Sequence, residues 1–398
     1  MPKIYRFFET ESKMKKFFAA LVVFIFVSCG SDKTTGERLP YSEITDEDIV
    51  NSEPETTDEE SADEETDSDA DVTENDDTDP VPLGNLCTEQ DKCYYWYGSS
   101  AIDCPAEGEK FYGQDAQYAE LGCIHHSFTV REVDGGGDIV IDNNTGLIWQ
   151  PEDRKKSYPY FEQYTWQEAN DKCAALNDSN YAGYSDWRLP TPMELLTISE
   201  NDDINPAFNI VNIAYSDPNL NRERRCLWSS KKYDTDSVYC FNPLSGYGGM
   251  STAFMTSNLE ALCVRGDKLP NGFFTETTEN GKNVVIDSTT GLMWQKVYAS
   301  YTKWSEALYH CQNLNSNNYA GYKDWRLPNK NELASLLNYD KSSAPYSGFP
   351  RISGKFWSST TRLTVYNDMA WCIDFDSGTT ASNSKESLDI MMRVRCVR

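Results

Sequence analysis

The chain has 398 residues, with 63 Asp and Glu against 36 Lys and Arg, a formal charge of -27, and only three histidines. That balance excludes recognition of nucleic acid through a general positive field, and the scarcity of histidine excludes a histidine triad or metal site present more than once. No GxSxG, phosphate-loop or HExxH string occurs, so no catalytic residue, metal or cofactor is expected.

From the amino end, Met14-Lys15-Lys16 precedes an apolar run from Phe17 to Val27 and then Ser28-Cys29-Gly30. Basic residues, a short apolar stretch and a small residue before cysteine predict an export signal over residues 1–29, with Met14 as an alternative start. The run is too short for a mature bilayer span. The Ser28-Cys29-Gly30 junction resembles a bacterial lipobox, which implies lipidation of Cys29, a membrane anchor through that residue, and a place at the outer membrane or cell surface.

Residues 30–85 are nearly free of apolar side chains and hold 21 acidic residues against Lys33 and Arg38. Such a segment cannot bury enough surface to offset its ordering entropy, so a disordered, self-repelling linker is predicted. Asp67, Asp69 and Asp71 alternate as in a calcium loop, but Val72 stands where glycine is needed and Thr78 where the closing glutamate belongs. Calcium is not expected.

Residues 86–130 form a cysteine-rich lead-in. Cys87, Cys93, Cys104 and Cys123 lack the CxxC spacing of a zinc or redox site and are read as staples of an exported protein, with their connectivity open. The string FYGQDAQYA (111–119) is expected to dock against the first repeat, the region that follows it.

That region is written twice. NYAGYSDWRLP (180–190) and NYAGYKDWRLP (318–328) agree at ten of eleven positions, and VIDNNTGLIWQ (140–150) answers VIDSTTGLMWQ (285–295). Trp166, Cys173 and Trp228-Ser229-Ser230 answer Trp304, Cys311 and Trp357-Ser358-Ser359, so one structural unit occupies 131–266 and again 267–398. Each copy predicts a hairpin turning on glycine and then a helix with Trp, Ala, Cys and Leu on one face. Thr165 and Glu168 make a capping box that Lys303 loses in the second copy. A second helix starts at Thr191-Pro192 or at Asn329, with Glu194 or Glu332 as box partner, and short strands follow. Trp187 and Trp325, like the other repeated tryptophans, are read as core. Asp186 with Arg188, and Asp324 with Arg326, are read as internal ion pairs or hubs fixing the turn into the second helix, and not as an acid and base for hydrolysis.

Two helices, a leading hairpin and irregular strands make an α+β constellation that resembles the C-type lectin-like fold, here in two tandem domains. More closely, the D-x-x-TGL-x-W, W-x-EA-x-x-x-C, DWRLP-x-x-x-EL, WSS and RCVR strings resemble the domain family named after the C-terminal domain of Legionella collagen-like adhesins. The resemblance covers about residues 139–266 and 284–398. It implies display on a bacterial surface and binding of sulfated glycosaminoglycans, and it carries over no catalytic residue. It also implies disulfides Cys173–Cys263 and Cys311–Cys396. Cys226 and Cys240 remain in the first copy and can bridge each other, while Cys372 has Lys355 where a partner would stand.

The copies differ most between the DWRLP and WSS tryptophans, where the first is longer and carries Arg222, Arg224 and Arg225, followed by Lys231 and Lys232. Loops on a rigid scaffold are favoured binding sites and arginine matches sulfate and carboxylate geometry, so this cluster is the expected ligand contact. Three readings follow: a lipid-anchored adhesion protein that binds an extracellular glycan or matrix protein, an envelope assembly module that binds a protein partner, and an oxidase-like enzyme related to formylglycine-generating enzymes.

Overall fold

A computed structural model describes residues 81–398 apart from 97, 99, 120–121, 134–136, 152–161, 200–225, 243–248, 271, 302, 342–343, 346–348, 350–351 and 364–365. The expected signal with Cys29, the acidic linker up to residue 80, and Arg222, Arg224 and Arg225 lie outside the described residues.

Each repeat opens on an antiparallel hairpin set by one aspartate. In the first, β1 (Phe128–Val133), β2 (Gly137–Asp142) and β3 (Ile148–Gln150) pair in order. At the end of β2, Asp142 accepts from the Asn144 N–H at 3.0 Å and from Thr145 Oγ1, and Gly146 supplies the positive φ of 71° that the turn requires. In α1 (Trp166–Asp178) the Thr165 hydroxyl accepts from the Glu168 N–H while the Glu168 carboxylate accepts from the Thr165 N–H, which completes the box. Ala169 and Cys173, one turn apart, face the core. The DWRLP segment then enters α2 (Pro192–Thr197), boxed by Thr191 and Glu194. A meander of β4 (Leu227–Lys232), β5 (Ser237–Asn242) and β6 (Gly249–Phe254) follows, and β7 (Cys263–Arg265) returns to pair with β3.

The second repeat lays down β8 (Phe274–Glu279), β9 (Lys282–Asp287), β10 (Met293–Gln295) and β11 (Ala299–Tyr301), then α3 (Trp304–Ser316) and α4 (Lys330–Ala334). Lys303 gives α3 no side-chain cap, whereas Asn329 and Glu332 box α4. The short pair β12 (Leu337–Asn338) and β13 (Ala344–Pro345) precedes β14 (Lys355–Arg362), β15 (Met369–Asp374), β16 (Thr379–Ser384) and β17 (Met392–Val394). The last sheet runs in the order β11-β17-β14-β15-β16.

The duplication is repeated bond for bond. Trp166 Nε1 donates to Ser229 O at 2.9 Å, and Trp304 Nε1 to Ser358 O at 2.7 Å. Asn177 exchanges two hydrogen bonds with the Trp187 backbone, as Asn315 does with Trp325. Even the uncommon left-handed alanines recur, Ala182 at φ 54° and Ala320 at φ 56°. Cys173–Cys263 ties α1 to β7 and Cys311–Cys396 ties α3 to the segment after β17, with Cα–Cα of 5.7 Å in both, and Cys226–Cys240 adds a bridge in the first copy alone. The tryptophans at 149, 187, 228, 294, 304, 325 and 357 are buried.

The DWRLP ion pairs differ from the expectation. Arg188 pairs with Glu194 and not with Asp186, through two bonds of 2.8 and 2.7 Å, and Arg326 pairs with Glu332 at 2.7 and 2.5 Å. The cause is bidentate geometry: the capping glutamate presents both carboxylate oxygens to the flat guanidinium. Asp186 and Asp324, both more than half exposed, reach instead to Arg265 and Arg398 at 2.7 Å.

The two repeats and the lead-in form one compact unit. Leu195, Leu196 and Ile198 at α2 meet Leu333, Leu336 and Leu337 at α4 in a single core, which also takes Leu83, so the last residues of the segment expected to be linker are ordered against the body. Across the seam the Tyr239 and Tyr339 rings lie 4.9 Å apart, and each phenol donates to a backbone carbonyl, of Ser377 and of Gly378. Gly249 on β6 lies so close to β16 that a Cβ would stand 1.8 Å from Thr380 Oγ1.

The lead-in, stapled by Cys87–Cys123 and Cys93–Cys104, docks on the second repeat, not on the first, which follows it directly. Phe111 packs with Trp304, Leu308 and Cys311, and Gln90 bonds the Thr361 backbone in both directions. On that repeat Leu308 and Gln312 meet Phe111 and Tyr112, and at the corresponding positions the first repeat carries Asn170 and Ala174.

Candidate functional site

Because the halves share one plan, the informative surface is the one that differs between them. On the second repeat, the face between α3, the DWRLP segment and β14 is covered. Phe111 is 3 % exposed, with its ring 6.1 Å from that of Trp304. Gln312 Nε2 donates to Tyr112 O at 2.8 Å, and the Arg326 guanidinium lies 5.6 Å from the Tyr118 ring. Asp115 is buried, and its Oδ2 accepts from Thr360 Oγ1 at 2.5 Å and Thr88 Oγ1 at 2.7 Å.

On the first repeat, the corresponding face is a cavity of about 280 Å³ lined by Asn170, Ala174, Asn177, Arg188, Ser230 and Lys268, among others. Thr191 and Lys268 also line a second cavity of about 120 Å³ at the seam, with Lys231, Tyr339 and Asp340. Trp166, unlike its buried counterpart Trp304, is partly exposed, and Lys232 Nζ lies 5.2 Å from its ring. Lys231 forms an ion pair with Asp340 of the second repeat. Arg188, held by Glu194, and Lys268 give the cavity wall a positive character.

Of the expected ligand residues, Lys231 and Lys232 therefore stand beside this groove, one already paired and one stacked. Asn170, Ala174 and Lys268 were missed by sequence reasoning. The available signal was the replacement of Leu308 and Gln312 of the second copy by Asn170 and Ala174 in the first.

A further cavity, of about 220 Å³, separates the lead-in from the second repeat and is lined by Asp115, Arg326, Asn329, Glu332, Glu89 and His125, among others. Cys87, Glu89 and His125 lie within metal-ligating range of one another, but the Cys87 sulfur is consumed by its bridge to Cys123 and His125 Nδ1 is 2.7 Å from Glu89. These residues do not fit a metal: two ligands remain, and they bond each other.

Burial dominates the charges under the lead-in. It raises the Asp115 carboxyl to about 6 despite its two threonine donors, and lowers the Lys330 and Lys385 ammonium groups to about 7 each. Lys385 Nζ donates to the carbonyls of Tyr94 and Tyr95, so the charge helps to hold the lead-in. A raised carboxyl makes stability fall as pH rises from 3.8 to about 6, and lowered lysines make it rise from about 7 to 10.5. The contribution of these three groups is therefore least favourable between pH 6 and 7. Denaturant melts across pH 5 to 9 are expected to show that minimum, and Lys385→Met is expected to flatten its alkaline side.

Cys372 is the free cysteine among the described residues; it is buried, and burial pushes its thiol up to about 12. Such a thiol is a poor nucleophile. With Cys29 replaced by serine, so that Cys372 is the one cysteine outside the five bridges, titration of the native protein with a thiol reagent is expected to find no fast-reacting group and, on unfolding in denaturant, one.

Residues 138–265 and 283–398 each match the family of the Lcl C-terminal domain. No curated protein matches the chain. No helix among the described residues is long and apolar enough to cross a membrane.

Proposed function

The chain belongs to the Lcl C-terminal domain family, which it matches once in each repeat, and from that premise we propose that it is a non-enzymatic, surface-displayed binding protein. In this reading Cys29 carries a lipid anchor at the outer membrane or cell surface, the acidic linker holds the body away from the membrane, and two lectin-like repeats meet an extracellular ligand. Five disulfides support an oxidising compartment.

The observation that carries the reading is the asymmetry of the pair. One copy of the face is covered by the chain's own lead-in, and the other is left with an exposed cavity, a partly exposed tryptophan and basic residues. The ligand proposed for the first repeat is an anionic glycan, contacted by Lys231, Lys232 and Lys268 and by Arg222, Arg224 and Arg225 of the preceding loop. Heparin-column retention tests this. Replacing Arg222, Arg224 and Arg225 with alanine is expected to bring elution to clearly lower salt, and unchanged retention removes the glycan reading.

The alternative reading, an envelope module that binds a protein partner, is favoured by one specific observation: what fills the equivalent face on the second repeat is peptide.

A further inference from the structure

We infer that the groove on the first repeat is a receptor for an extended peptide of a partner protein, one that presents an aromatic side chain and, a few residues later, a carboxylate. The inference deepens the protein-binding reading above. It rests on what the molecule itself does at the same place on its second repeat.

There, the segment from Phe111 to Tyr118 is held by three features in sequence. The Phe111 ring lies against Trp304 and Leu308. Gln312 Nε2 then anchors the backbone through Tyr112 O, beside Gly113, whose φ of 99° turns the segment across α3. Asp115 finally buries its carboxylate between threonine hydroxyls and near Arg326. Aromatic anchor, backbone bond and carboxylate together define the recognition pattern.

The first repeat keeps the frame of that receptor and changes its chemistry at each end. Trp166 replaces Trp304 with the same bond from its indole to the WSS strand, and is partly exposed instead of covered. Ala174 stands at the position of Gln312 and leaves room above the helix, while Asn170, at the position of Leu308, lines the cavity with its Nδ2 on the Trp166 carbonyl at 2.7 Å. At the carboxylate end, Arg188 corresponds to Arg326 and is held by its capping glutamate in the same way, Lys231, bonded to Asp340, takes the place of Thr360, and Lys268 adds a second ammonium. An incoming carboxylate would meet positive charge where Asp115 meets hydroxyls, which selects for an acidic peptide more strongly than the covered copy does.

The test uses the full chain and a fluorescein-labelled synthetic peptide with the sequence of residues 109–119, EKFYGQDAQYA. Fluorescence anisotropy is expected to give saturable binding of one peptide per chain. Ala174→Glu, on an exposed helix position and so compatible with folding, is expected to weaken it by at least about tenfold, as is exchange of the peptide's aspartate for lysine. Gln312→Ala, in the covered copy, is expected to leave binding unchanged. Absence of saturable binding, or binding indifferent to Ala174→Glu, overturns the inference; so does loss of binding in Gln312→Ala, which would mean that the peptide exchanges with the lead-in. Heparin retention is read in parallel. If Ala174→Glu abolishes retention on heparin while the peptide never binds, the groove is a glycan site and the peptide inference falls while the binding function stands.

Discussion

Glu332→Ala is expected to cost about 3–5 kcal/mol of stability, the scale for removing one partner of a buried ion pair. The Glu332 carboxylate takes both nitrogens of the Arg326 fork at 2.7 and 2.5 Å and the Asn329 N–H at 2.8 Å, and its side chain is 5 % exposed. Alanine leaves the guanidinium, 15 % exposed beneath Tyr118, without the carboxylate that takes both its nitrogens, and removes half of the capping box of α4. The cap alone accounts for about 1 kcal/mol. Glu194→Ala in the first repeat makes the same cut, but Arg188 is 27 % exposed and can be rehydrated, so a smaller loss is expected there. Equilibrium unfolding in guanidinium with the disulfides intact measures both. Equal losses would mean that the lead-in adds nothing to the burial of Arg326.

Removing the Cys311–Cys396 bridge by paired alanine substitution is expected to cost about 4–5 kcal/mol by the loop-entropy estimate. The bridge closes a separation of 85 residues and joins α3 to the end of the chain beside β10. Its counterpart Cys173–Cys263, with a separation of 90, is expected to cost the same, whereas Cys93–Cys104, with a separation of 11, is expected to cost about 3 kcal/mol. Melts under non-reducing conditions give the order. Because both repeats feed one core, loss of either long bridge is expected to lower a single transition and not to split it into two.

The parts of this fold that were legible in the sequence are those encoded locally or by repetition. Thr165 with Glu168, Thr191 with Glu194, and Asn329 with Glu332 announce helix starts because a capping box needs only residues three apart, and the structure makes all three. The repeated tryptophans announce core because duplication kept them while the loops between them changed length, and all are buried but Trp166, whose partial exposure the sequence does not mark. What lay beyond reach were choices made between distant segments. Arg188 had two acidic neighbours in sequence, Asp186 and Glu194, and only the path of the chain into α2 decides that the second takes the fork. The docking of residues 111–119 on the second repeat, about two hundred residues away, depends on Leu308 and Gln312 meeting Phe111 and Tyr112, a contact with no local trace. The groove on the first repeat is legible only once that cover is known, since it is defined by what its twin has and it lacks.

The dependence of the account on this asymmetry can be measured without knowing any ligand. Hydroxyl-radical footprinting of the full chain, read peptide by peptide, reports how accessible the two first-helix tryptophans are to solvent. Trp166 is expected to be oxidised readily while Trp304, at 0 % exposure, stays protected until the protein unfolds. Equal labelling of the two would contradict it, because the repeats would then present the same face and nothing would distinguish the copy that binds from the copy that is covered.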